Sequence, residues 1–110
     1  MKQYVIDQLR PDDYFKLKAY LDTNCQSSNI PGIYWLDLPQ KLLEETQKSH
    51  IDCQPFCFAI ELSQTGLSCE LLVRTLAQIR CDCVNYASVS QRNWLIHAMD
   101  DICSQLEINI

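Results

Sequence analysis

The clearest pattern along the chain is an alternation of apolar and polar residues in two neighbouring runs, 56–62 and 67–74, separated by a turn that contains Gly66. Alternation with a period of two predicts strands that bury one face. The pairing predicted across the turn is Ile60 with Cys69 and Phe58 with Leu71. Because both apolar faces then meet the same core, the two runs are predicted to form an antiparallel hairpin.

Helical periodicity marks three other segments. A helix is predicted to begin at Pro11, where the missing N–H of proline costs no hydrogen bond, and to bury a stripe formed by Tyr14, Leu17 and Leu21. A shorter helix is predicted over residues 39–48, with Leu42 and Leu43 facing inward. A final helix is predicted after Ser88, which forms a capping-box pattern with Gln91, and it extends to about Glu107. The buried stripe predicted for this last helix comprises Leu95, Met99, Ile102, Cys103 and Leu106.

Residues 2–9, 33–38 and 79–84 are rich in β-branched, aromatic and other apolar side chains and are predicted to be strands. Strand runs and helical runs are mixed without a repeating βα unit. The chain is therefore predicted to be a single α+β domain over residues 1–110. It has an antiparallel or mixed sheet of four to five strands, with two to three helices packed mainly on one face.

Three segments and the pair Gln91-Arg92 carry a resemblance to a known family. The segments are Tyr34-Trp35-Leu36-Asp37-Leu38-Pro39, Glu70-Leu71-Leu72-Val73-Arg74 and Arg80-Cys81-Asp82-Cys83-Val84-Asn85-Tyr86-Ala87. They look like those of a family of short uncharacterised bacterial proteins, and the similarity covers nearly the whole chain. Because that family has no assigned activity, the resemblance implies a stand-alone bacterial protein and transfers no catalytic residue.

Composition and charge narrow the classes of partner. The chain has 9 basic and 14 acidic residues, a formal net charge of −5, and no cluster of lysine or arginine. Nucleic acid and anionic membrane surfaces are both bound through such cations, so neither is an expected partner. The N-terminal residues lack the apolar stretch of a signal peptide, and no segment approaches the roughly 20 apolar residues of a membrane span. The expected location is the cytoplasm.

Seven cysteines are the unusual feature of the composition: Cys25, Cys53, Cys57, Cys69, Cys81, Cys83 and Cys103. Because the number is odd and no export signal is visible, no disulfide framework is expected. The simplest interpretation treats them as small apolar core residues, Cys69 and Cys103 first among them. No resident cofactor is expected under this interpretation.

The alternative interpretation is a thiol-based metal site, with zinc as the ion. Its predicted ligands are Cys53, Cys57, Cys81 and Cys83, and the pairs His50-x-x-Cys53 and Cys81-x-Cys83 could each supply two ligands. On a strand, the sulfurs of Cys81 and Cys83 would point to one face about 6 to 7 Å apart. One ion could then hold both only if the strand bends or ends there. A reversible disulfide between these two thiols is a related redox hypothesis.

A third interpretation is a small enzyme with a cysteine nucleophile paired with His97 or His50. It requires a pocket that joins a cysteine to His97 or Arg74. Since His97 falls on the polar side of the last helix, solvent exposure is its expected environment. No catalytic residue is assigned, and enzymatic activity is not the favoured expectation.

The sequence thus favours a non-catalytic module that acts through protein contacts or self-association. The surface expected to mediate these contacts is the outer face of the sheet, which should carry Leu72, Cys57 and Ala59. The metal or redox module is the alternative, and the enzyme is the third hypothesis.

Overall fold

A single antiparallel sheet forms the frame of the protein in a computed structural model that describes residues 1–76 and 81–110. The strands are β1 (Gln3–Ile6), β2 (Gln26–Ser27), β3 (Ile33–Asp37), β4 (Phe56–Leu62), β5 (Leu67–Glu70), β6 (Leu72–Thr75) and β7 (Asn85–Tyr86). The α-helices are α1 (Pro11–Asn24), α2 (Glu45–Ser49) and α3 (Val89–Gln105). Short 3-10 turns cover Gln40–Leu42 and Ile51–Cys53.

The strand order is β1-β5-β4-β3-β2, and β6 pairs with both the start of β4 and β7. This arrangement confirms the predicted α+β class. The described residues contain seven strands, more than the four to five predicted. The surplus includes β2 and β7, which are two residues long and too short to show an alternating pattern.

The predicted hairpin is present as β4 and β5, and its pairing of Ile60 with Cys69 is confirmed. The predicted pairing of Phe58 with Leu71 is wrong. From Ile60↔Cys69 to Cys57↔Arg74, β4 advances three residues whereas the facing chain advances five. Leu71 lies in this insertion and makes its hydrogen bonds elsewhere: its N–H donates to the carbonyl of Lys2, and its carbonyl accepts from Ala87. A two-residue shift leaves the buried and exposed faces unchanged.

Helix α1 begins at Pro11, and Ser88 and Gln91 form the capping box of α3, both as predicted. The single helix predicted over residues 39–48 is wrong. There the chain makes a 3-10 turn, passes through Leu43 in an extended conformation, and then begins α2 after Glu44. Glu44 and Gln47 form their own capping box, which starts a new helix instead of continuing an old one.

The core lies between the helices and one face of the sheet. Phe58 and Ile60 on β4 are fully buried together with Leu17 of α1 and Leu95 and Met99 of α3. The ring of Trp94 stacks on Phe58, with the ring centroids 6.2 Å apart. Cys69 and Cys103 belong to this core, as the sequence predicts.

The outer face of the sheet differs from the predicted one. Cys57 and Ala59 lie on it but are buried, with 0% and 9% of their surface exposed, and Leu72 is half-buried. Most of the exposed apolar surface on this face instead belongs to Ile30 and Leu76. Both residues, together with Trp35, line a groove of about 600 Å³. Among the described residues, no helix is long and apolar enough to cross a membrane.

Candidate metal centre

Two segments distant in sequence form a cluster of one histidine and three cysteines. The first segment follows α2, where His50 ends the helix and the 3-10 turn Ile51–Cys53 begins. The N–H of Cys53 donates to the carbonyl of His50 over 3.0 Å, which closes this turn. Residues three apart in such a turn lie on the same side, so the side chains of His50 and Cys53 point in one direction.

The second segment is a tight turn that carries Cys81 and Cys83. The N–H of Val84 donates to the carbonyl of Cys81 over 3.1 Å, and the Asn85 side chain donates to the carbonyl of Asp82 over 3.2 Å. The strand predicted over residues 79–84 is therefore wrong for residues 81–84, while residues 79 and 80 lie outside the described residues. Aspartate and asparagine favour turns because their side chains bond to nearby backbone, and here that preference prevails.

Strand pairing brings the two segments together. Phe56 at the start of β4 pairs with Thr75 at the end of β6, so the chain before β4 and the chain after β6 lie at the same end of the sheet. The hydroxyl of Thr75 also donates to the carbonyl of Cys53. This contact fixes the Cys53 turn against the sheet.

The four ligand atoms lie at the separations expected around a single ion. Nδ1 of His50 is 3.1 Å from Sγ of Cys81 and 4.0 Å from Sγ of Cys53, and the two sulfurs are 3.8 Å apart. Together with Sγ of Cys83, all four atoms lie within 4.8 Å of one another. A tetrahedral zinc site with Zn–S bonds of about 2.3 Å requires sulfurs about 3.8 Å apart. The separation of the Cys53 and Cys81 sulfurs matches this value, and the other two atoms are close enough to complete a four-ligand site.

Asp82 contributes a carboxylate beside the histidine. Its Oδ1 lies 3.6 Å from Nε2 of His50 and 3.7 Å from Sγ of Cys81, and the Asp82 side chain is exposed. The carboxylate therefore lies at the exposed edge of the cluster, close to both ligands. The Nδ1 atom of the imidazole faces the sulfurs of Cys81 and Cys53, so His50 is positioned as a ligand through Nδ1.

The thiols of the cluster differ in burial and acidity. Cys53 and Cys83 are buried, with 2% and 1% exposed, whereas Cys81 is half-buried. The backbone N–H and the thiol of Cys83 donate to the Cys81 sulfur, and these bonds hold the pKa of Cys81 below its ordinary value. Burial raises the pKa of Cys53, and it raises that of Cys83 to about 12. Without an ion, Cys81 is thus the first of the three to become a thiolate.

The predicted ligands are only partly brought together. Cys53, Cys81 and Cys83 meet, and His50 completes the set. Cys57 lies outside it, on β4, where its thiol donates to the carbonyl of Arg74 over 3.7 Å and burial raises its pKa to about 11. The signal for His50 in place of Cys57 is its three-residue spacing from Cys53.

Of the residues predicted for an enzyme, His50 lies beside Cys81 in the cluster, whereas His97 and Arg74 lie away from it. His97 is exposed on α3, and the guanidinium of Arg74 donates to Glu70 over 2.9 Å. Neither the groove on the outer face of the sheet nor the depression between α1 and β3 is lined by a cysteine or by His97. All seven cysteines are free thiols.

No family model, curated protein or solved structure matches the chain. The resemblance to a family of short bacterial proteins therefore stays a prediction. The chemistry of the four clustered side chains is the feature of the chain that points to a function.

Proposed function

We propose that the chain is a zinc-binding α+β module. Nδ1 of His50 and the sulfurs of Cys53, Cys81 and Cys83 supply the four ligands. The ion joins the segment that precedes β4 to the turn that precedes β7. Its role is structural, because four protein ligands leave no position for a substrate or a reactive water.

The observation that carries this proposal is the convergence of four ligand atoms within 4.8 Å from two segments about 30 residues apart. Chance pairs of cysteine and histidine are common in a cysteine-rich chain. Four ligand atoms within 4.8 Å of one another, with one sulfur pair at the 3.8 Å separation of a tetrahedral site, form a more specific arrangement.

The ligand set favours zinc over other ions. Thiolate and imidazole are soft or borderline donors, which suit Zn²⁺ and are poor ligands for Mg²⁺ or Ca²⁺. No carboxylate oxygen is among the four atoms. Iron–sulfur clusters are held mainly by four cysteine thiolates, whereas this cluster contains three cysteines.

Cobalt substitution tests the proposal directly. Co²⁺ bound by three thiolates and one imidazole is expected to show thiolate-to-cobalt charge-transfer absorption and intense tetrahedral d–d bands. Cys53→Ser should weaken both sets of bands. Cys57→Ser should leave them unchanged, because the Cys57 thiol points to the Arg74 carbonyl and not to the cluster. Equal spectra for the two variants would contradict the assignment of Cys53 as a metal ligand.

A second candidate function is a module that acts through contacts with another copy of itself. It is supported by the groove on the outer face of the sheet, beside which Ile30 is 61% and Leu76 48% exposed. Light scattering after size-exclusion chromatography tests it, since a strict monomer at high concentration contradicts self-association. The two functions are compatible, because the groove lies apart from the residues of the metal cluster.

A further inference from the structure

The three thiols of the cluster are arranged for a specific oxidation. Cys81 is half-buried and is the thiol that a small solute can reach, whereas Cys53 and Cys83 are almost fully buried. The Cys53 sulfur lies 3.8 Å from the Cys81 sulfur. An accessible thiol beside a buried second thiol is the arrangement found in cysteine pairs that respond to peroxide.

We infer that peroxide converts this site from a metal-linked to a disulfide-linked state by joining Cys81 to Cys53 and releasing the ion. The inference rests on the proposed zinc site. It adds a regulatory property to that site, which the ligand set by itself does not imply.

The chemistry proceeds in two steps. The Cys81 thiolate attacks one oxygen of hydrogen peroxide, an S–O bond forms as the O–O bond breaks, and hydroxide leaves. The Cys53 thiolate then attacks the resulting sulfenic sulfur, an S–S bond forms as the S–O bond breaks, and a second hydroxide leaves. Two thiolates are thereby oxidised to one disulfide, and one peroxide is reduced to two hydroxide ions, which take up protons to become water.

Cys53 is a better partner for Cys81 than Cys83 is. A bond between Cys81 and Cys83 would close a ring across a single intervening residue, and disulfide geometry tolerates such short connections poorly. Cys53 is 28 residues away in sequence but adjacent in space. Its disulfide with Cys81 closes a long loop between positions that the fold already holds together.

The consequence is an exchange of one cross-link for another. The disulfide joins the same two segments that the ion joins, so β4 and β6 keep their pairing at this end of the sheet. Because the sulfurs of Cys53 and Cys81 are then bonded to each other, only His50 and Cys83 remain as zinc ligands. Two ligands hold zinc far more weakly than four. Metal release with retention of the fold is the expected outcome.

The test uses the reduced 110-residue chain loaded with zinc and treated with equimolar hydrogen peroxide. Released zinc is followed with a chromogenic chelator, and remaining thiols are alkylated before tryptic digestion. Trypsin cuts after Lys48, Arg74, Arg80 and Arg92, which places Cys53 and Cys81 in separate peptides, 49–74 and 81–92. Fragmentation of the linked pair then identifies the cysteines within each peptide.

Zinc release in step with a Cys53–Cys81 disulfide, reversed by a thiol reductant and fresh zinc, is the expected result. The Cys25→Ser variant is the matched control, because Cys25 is also half-buried but lies outside the cluster. It should release zinc at the wild-type rate.

Two outcomes would overturn the inference, and they are distinguishable. If the reduced chain takes up no stoichiometric zinc, the proposed function fails and the inference fails with it. If zinc is taken up but peroxide links other cysteines, or leaves the ion bound, the zinc site stands and only the redox inference is wrong.

Discussion

Nδ1 of His50 lies 3.1 Å from Sγ of Cys81, although 31 residues separate the two in sequence. The contact depends on the pairing of Phe56 with Thr75, which brings the chain before β4 next to the chain after β6. The candidate metal centre is therefore a product of the sheet and not of any local motif. Substitutions that disturb either segment should therefore weaken zinc binding.

Zinc should protect Cys81 from alkylation in the native state. Cys81 and Cys25 are both half-buried, so each should react with a small alkylating reagent when no metal is present. We expect added zinc to slow the alkylation of Cys81 by about tenfold or more, because a thiolate bound to the ion is not free to react with the reagent. Peptide mass spectrometry measures each rate, and Cys25 provides the internal control. Equal protection of both thiols would indicate a general loss of access instead of coordination.

Replacement of His50 should remove the stabilisation that zinc provides. At free zinc about 100 times above the dissociation constant, one site raises the free energy of unfolding by about 2.7 kcal/mol. For a domain of this size, that is a rise in Tm of roughly 10 °C. His50→Ala should lose most of this rise in thermal unfolding followed by circular dichroism.

His97→Ala is the matched control for that experiment, since His97 is the other histidine of the chain and is exposed on α3. Its melting temperature should respond to zinc as that of the wild type does. A zinc effect that disappears in both variants, or in neither, would contradict the assignment of His50.

Local patterns in the sequence predicted the hairpin, α1 and α3 because each is determined by nearby side chains. Pro11 and the Ser88–Gln91 capping box mark helix starts that need no tertiary contact. The alternation from Phe56 to Leu62 likewise fixes which face of β4 is buried. Such features are visible in a single sequence.

The site was less predictable because it depends on contacts between distant segments. The spacing of the cysteines in the sequence predicted Cys53, Cys81 and Cys83 as ligands. It also included Cys57 as a ligand and placed Cys81 and Cys83 on a strand. The turn at Asp82 brings the last two cysteines together, and the alternation of β4 carries Cys57 away from the cluster. Which histidine or cysteine completes the set is decided by pairing between β4 and β6, and single-sequence periodicity contains no information about that pairing.

Buried contact between two glutamines should stabilise the segment that carries His50. The Gln91 amide donates to Oε1 of Gln47 over 2.9 Å and to the carbonyl of Leu42 over 2.9 Å. Gln91→Ala removes both hydrogen bonds and leaves Oε1 of Gln47 with only the Glu44 N–H as a donor, so we expect a loss of about 2 kcal/mol in the free energy of unfolding, measured by urea denaturation. Gln105→Ala, at an exposed position of the same helix, should change it by less than about 0.5 kcal/mol. Similar losses in both variants would argue against a specific role for the buried pair.

Tyr4 should make stability depend on alkaline pH. Its hydroxyl donates to Asp100 over 2.5 Å, and this bond, with burial and the nearby carboxylate charge, raises the pKa of Tyr4 from 10.0 to about 12. The folded state holds the proton more tightly than the unfolded state. The resulting stabilisation is complete below pH 10 and is lost as the pH rises toward 12.

Tyr4→Phe should remove this part of the pH dependence. Urea denaturation of the wild type and the variant across the alkaline range measures it, and the difference in unfolding free energy between them should shrink over that interval. A constant difference would show that Tyr4 titrates alike in the folded and unfolded states.

The most direct test of the zinc site is the metal content of the reduced chain, prepared without a histidine tag and without oxygen, and titrated with zinc under native mass spectrometry. We predict about one zinc per chain for the wild type and for Cys25→Ser, and loss of that ion in Cys81→Ser. A wild-type chain that stays metal-free in excess zinc, or a Cys81→Ser variant that binds zinc as tightly as the wild type, would contradict the account.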